Sequence, residues 1–157
     1  MTTNYKYGYT LLALYLIEAI KKFGSQEALA MLDLASEQQG LMLAKEYRKT
    51  LPKTLTTLEL GAEAYKLFMT DTGAEVLLHK KSEDSFFFRI QKCPFNEVYL
   101  DIGIDCGYFL NGLCSNLILP SIRSTLKNLN NNLRIEPVLT RETAEDFCII
   151  KITYNNS

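Results

Sequence analysis

The chain has 157 residues, 47% of them hydrophobic and 22% charged, with 17 basic and 18 acidic side chains and a net charge of −1. That length suits one domain with a core of its own, 1–157, and is short for two. The balanced charge gives no electrostatic reason to expect nucleic acid or an anionic membrane as a partner.

In chain order, Leu12, Leu16, Ala19, Ile20 and Phe23 recur at three- and four-residue steps, the pattern of one helix face over 9–23. The most apolar run of the chain, Thr10 to Ile20, lies inside that helix. It contains Glu18 and is about half the roughly 20 residues that cross a bilayer, so it does not read as a membrane span. Lys6 is the only basic residue ahead of it and no small-x-small cleavage pattern follows, so it does not read as a signal peptide either. A cytoplasmic protein with reduced thiols is the expectation.

A second helix restarts after Gly24 with Ser25 as its N-cap; Gly40 within it either bends the helix or lets another backbone come close. Leu51-Pro52 ends it, and a third amphipathic helix begins at Thr54 or Thr57 and runs to about Thr70. Then the period changes. AEVLLHKK and SFFFRIQKC, separated by the polar turn 81–84, predict a β-hairpin. Pro94 favours a short helix through Asp101, Gly103 interrupts, and a further helix is predicted from Cys106 to about Leu126. LKNLNNNL is polar enough for a loop, and LRIEPVLT and FCIIKITY read as two more strands. The expected fold is α+β: a helical N-terminal half packed on an antiparallel sheet of about four strands, with a crossover helix between two hairpins.

Four cysteines, Cys93, Cys106, Cys114 and Cys148, carry the chemical interest. Zinc and iron–sulfur centres need converging thiolates, and four is the right number for a closed site. The gaps of 13, 8 and 34 residues contain no chelating pair of the familiar two-to-four spacing. On an unbroken helix, Cys106 and Cys114 stand about 12 Å apart along the axis and roughly 80° apart around it. Two sulfurs on one zinc lie within about 4 Å, so sharing an ion requires that the helix start after Cys106 or break at Gly107 or Gly112. Spacing alone leans towards cysteines packed as small hydrophobes, with a shared metal or reactive site as the alternative.

His79 is the sole histidine, which excludes mechanisms that need two, and it pairs with Cys93 only if the hairpin turn is long. Asp105 suits either a helix N-cap or proton transfer. Alternation with Leu133 and Ile135 turns Glu136 outward. Phe86, Phe87 and Phe88 cannot all face one layer, so at least one lines a second buried surface, either another packed layer or a cavity suited to a small apolar or sulfur-containing ligand.

CPF at 93–95, GIDCGYFLNGLC with cysteines eight apart, and DFCIIKI near the end resemble the L-2-amino-thiazoline-4-carboxylic acid hydrolase family, and FGSQEALAMLDLASEQQG is similar to the helical region before these motifs. The resemblance covers about 23–153 and matches it at Cys93, Cys106, Cys114 and Cys148. It implies hydrolytic C–N bond opening of a small sulfur-containing cyclic amidine. Attack is expected from Cys114 or from water on a metal held by the four cysteines, zinc and an iron–sulfur cluster both being compatible, with Asp105 or Glu136 moving the proton. Cys114, Glu136 and Cys148 also fall in the order of the metal-binding residues of 4-vinyl reductase and phenol-sensor domains, with Leu139 near where another cysteine stands. That likeness implies a non-catalytic metal or small-molecule sensor. The expected partners are a small-molecule ligand or substrate and a second copy of the chain in a homodimer; neither nucleic acid nor membrane is expected.

Overall fold

The computed structural model describes residues 5–102, 116, 118–141 and 145–156. Helices α1 (Lys6–Phe23), α2 (Ser25–Thr50) and α3 (Thr57–Asp71) precede strands β1 (Glu75–Lys81) and β2 (Ser85–Lys92). Helices α4 (Pro94–Asp101) and α5 (Leu119–Leu129) follow, then β3 (Leu133–Leu139) and β4 (Cys148–Tyr154). The four strands form one antiparallel sheet in the order β1-β2-β4-β3, so the two hairpins meet along β2 and β4 and the α4–α5 segment crosses between them. This is the expected α+β fold, with the helical half leading. Among the described residues no helix is long and apolar enough to cross a membrane.

Local chemistry accounts for the element ends. Gly24 alone separates α1 from α2, and its φ of 86° lies where a side chain is strained. Gly24 rather than the expected Ser25 is the N-cap, because a one-residue link leaves the chain no room for a side-chain cap. Helix α3 is capped by Thr56, whose hydroxyl accepts the Glu59 amide at 3.3 Å while the Glu59 carboxylate accepts the Thr56 amide at 2.9 Å. That reciprocal box starts the helix at Thr57, the second of the two expected positions.

The sheet's inner face carries Phe86, Phe88 and Ile90 from β2 and Ile150 and Ile152 from β4, all buried against α3 and α5. Among the described residues its outer face carries cationic side chains rather than a packed second layer. Phe87 is half-buried beneath Lys80 and Lys151, whose ammonium groups lie 6.0 and 5.6 Å from its ring centre, and the Arg89 guanidinium stacks 3.8 Å from the Phe147 ring. Lysine stems shield the aromatic surface and leave their ammonium groups in water, while the Arg89 plane covers Phe147 with its Nε buried. Among the described residues the three phenylalanines therefore divide two inward and one outward, and the outward ring is covered by lysine side chains.

Helix α1 is held by Tyr9, whose ring stacks 4.2 Å from Phe95 of α4 and whose hydroxyl donates to the Thr72 carbonyl at 2.8 Å. Helix α2 lies along α5, where the Ser124 hydroxyl donates to the Glu37 carbonyl at 3.0 Å and Arg48 donates to the Asn128 carbonyl. Gly40 sits at the closest approach: a Cβ there would stand 2.3 Å from Ser124 Cβ and 2.7 Å from the Thr125 backbone nitrogen. Alanine would improve helix propensity by about 1 kcal/mol, but a clash with backbone forces two helices apart and costs more, about 1–3 kcal/mol. Gly40→Ala is therefore expected to destabilise the protein by up to about 2 kcal/mol, read as a lowered urea midpoint at unchanged slope.

Candidate functional site

The predicted site residues divide into two groups. Cys106, Cys114 and Asp105 lie outside the described residues. Cys93 and Cys148 are brought to the same end of the core: Cys148 opens β4 opposite Ile90 of β2, and Cys93 stands just past the end of β2. Both line a small, partly open and almost wholly apolar cavity of about 30 Å³, with Tyr65 and Met69 from α3, Ile122 from α5 and Ile150 from β4. Helix, sheet and crossover thus each contribute a wall, and the two sulfurs form its edge.

Cys93 also precedes the first turn of α4. Burial pushes its thiol above its ordinary value of 9.0, against the opposing pull of the Asn96 and Phe95 backbone amides and of the nearby Arg141 charge. A helix N-terminus ordinarily favours a thiolate, but here loss of hydration outweighs it. The neutral thiol is the form suited to this cavity.

Arg141 is the residue that sequence reasoning missed. It is only 5% exposed, donates from Nη2 to the Ile90 carbonyl at 2.9 Å and the Gln91 carbonyl at 3.3 Å, and approaches Cys148 Sγ with both its backbone N–H and Nε at 3.5 Å. Among the described residues no carboxylate lies within ion-pair distance of it. A single arginine after a strand reads in sequence as a solvated charge, and nothing in RET marks it as the clasp between the end of β2 and the start of β4.

Glu136 pairs with Lys151 across the ladder, Nζ to Oε1 at 3.6 Å, on the outer face of the sheet. The structure does not bring it to Cys93 or Cys148, which border the inner side. His79 is exposed and lies level with Phe87 and Phe88 in the hairpin. Cys93 lies five residues beyond Phe88, on the order of 16 Å along the strand, so the two do not meet. Among the described residues no three Cys, His, Asp or Glu side chains gather as metal ligands. A larger recess of about 630 Å³ between α2 and α5, lined by Asp33, Glu37, Arg123 and Lys127, is open to solvent and carries charges of both signs.

No protein-family model and no curated protein matches the chain. Several solved structures share its fold, among them the two that follow. The phenol-responsive sensory domain of the transcription activator PoxR, solved with phenol, aligns with a TM-score of 0.69 at 12% identity, covering 93% of this chain and 74% of that one. A trafficking protein particle complex subunit 3 from Naegleria fowleri, covalently bound to palmitic acid, aligns with a TM-score of 0.59 at 15% identity, covering 96% and 97%.

Two outcomes test this geometry. Arg141→Ala leaves the buried Ile90 carbonyl and the part-buried Gln91 carbonyl without their charged donor and is expected to cost about 2 kcal/mol in chemical denaturation. Because the folded Cys93 thiol binds its proton more tightly than the unfolded one, its contribution to stability is full below pH 9.0 and is lost as pH rises past that value. Alkylation of Cys93 in the folded protein is accordingly expected to lag behind that of the unfolded chain at pH 8, with mass spectrometry of the modified peptide as the readout.

Proposed function

We propose that the chain is a small-molecule-binding domain that takes a small, largely apolar ligand at the cavity between α3, α5, β2 and β4, with Cys93 and Cys148 along its edge. The observation that carries this reading is the cavity itself: a partly open apolar space at the junction of helices and sheet, bordered by two sulfurs with Arg141 behind one of them. A volume of about 30 Å³ is close to one water's share of the liquid, so a ligand the size of an aromatic ring enters only as side chains move. Met69, unbranched and soft, is the wall best able to do so. Both solved neighbours were captured with an apolar molecule, phenol in one and palmitic acid in the other, which supports the same use of this fold here.

The finer reading, ring-opening hydrolysis of an amino-thiazoline carboxylate, draws support from the meeting of Cys93 and Cys148. The remainder of its machinery, Cys114 and Asp105, lies outside the described residues, and Glu136 faces the other side of the sheet. Turnover of that substrate by the wild-type chain, lost in Cys114→Ser, is the result that would promote this reading over simple binding.

The binding reading is tested by thermal shift and calorimetry with phenol and other single-ring compounds. A ligand at about 100 times its dissociation constant stabilises the folded state by roughly 2.7 kcal/mol. Ile150→Phe, which fills the cavity, is expected to abolish the shift, and Ile150→Ala, which enlarges it, to increase it. Absence of any shift in both the wild type and Ile150→Ala would sink the proposal.

A further inference from the structure

Helix α1 packs on α2 and α4 through Ala13, Leu16 and the partly buried Ile20. The face turned away from them carries Tyr7, Leu11 and Leu14, which are 80%, 70% and 45% exposed, with Tyr15, 66% exposed, alongside. One exposed leucine is ordinary; several large apolar side chains aligned opposite the core mark an interaction surface.

The spacing of that face identifies its partner. Tyr7, Leu11, Leu14 and Glu18 follow steps of four, three and four, the seam of a coiled coil, and those steps are the same read from either end. A second copy running antiparallel therefore meshes with the first in register. We propose that α1 joins two copies of this chain in an antiparallel, twofold dimer, with Leu11 against Leu14 of the partner subunit and Tyr7 against Glu18 of the partner subunit. The outer pairs are complementary: Glu18 Oε1 already accepts from Lys21 Nζ at 2.7 Å, which leaves Oε2 for the tyrosine hydroxyl. The exposed parts of Tyr7, Leu11, Leu14 and Tyr15 amount to roughly 600 Å² per protomer, and twice that reaches the lower bound of about 1,200 Å² for specific association. A carboxylate on the seam argues against an anionic lipid surface as the occupant.

Sedimentation equilibrium of the full chain is expected to give a concentration-dependent mass approaching twice 17.9 kDa. Leu11→Glu combined with Leu14→Glu places charges on exposed positions, should leave the circular dichroism spectrum intact, and is expected to weaken association by about 100-fold or more. Mild oxidation of a mixture of Leu11→Cys and Leu14→Cys chains should yield the cross-link between positions 11 and 14, identified in tryptic peptides. A mass of 17.9 kDa at every concentration, a dimer that survives the double substitution, or 11-to-11 cross-links in place of 11-to-14 overturns the proposal. So does flotation of a monomeric chain with anionic vesicles, which would assign the face to a membrane.

Discussion

The register between β2 and β4 is the constraint on which the rest depends. Phe86 stands opposite Ile152, Phe88 opposite Ile150 and Ile90 opposite Cys148, so one face of the central pair is continuously apolar. A slip of one residue would turn that entire set towards solvent and bring Lys151 and Arg89 into the core. The two strands come from opposite ends of the crossover, and no tight turn sets their alignment. Side-chain burial against α3 and α5 has to do so, helped by Arg141, which ties the end of β2 to the start of β4. The cavity is a by-product of the same alignment, because it lies where the inward pattern ends at two cysteines rather than at bulky side chains.

Much of this fold was legible in the sequence because its signals are local. The hairpin turn at 81–84, the proline that opens α4 at Pro94, and the alternation through CIIKITY each arise within a few residues and each matches the structure. The misreadings came where geometry beyond the local pattern decides. Ser25 is a better capping residue than glycine by type, but the sharp reversal between α1 and α2 demands a positive φ, and Gly24 meets that demand. The polar stretch from Leu126 reads as loop, yet Leu126 to Leu129 remain helical because Leu126 is fully buried against its neighbours.

The site was only partly legible, for a different reason. Alternation correctly turned Glu136 outward, and the period of two in a strand puts Cys148 on the same face as Ile150 and Ile152, which the structure buries. What no local pattern conveys is that Cys93, 55 positions earlier, arrives at the same point, since this follows from the strand order β1-β2-β4-β3. Arg141 was invisible for a related reason. Its value lies in two carbonyls some 50 residues away, and a charged side chain after a strand carries no mark of burial. The likeness to phenol-sensor domains proved the better guide to the fold, while the hydrolase likeness rested on cysteines of which two are placed.

The sheet's two outer strands have a consequence for how the molecule keeps to itself. Strand β3 contains Pro137, which has no N–H to offer, and both β1 and β3 are irregular in register, β1 on either side of its middle and β3 after Pro137. His79, Lys80 and Lys81 add polar and cationic side chains at the end of β1. Each of these discourages an extra strand from docking on the open ladder. Sheet extension, the common route to fibrils, is thus disfavoured on both sides by backbone chemistry, even though Leu77, Leu78, Val138 and Leu139 of these strands are exposed.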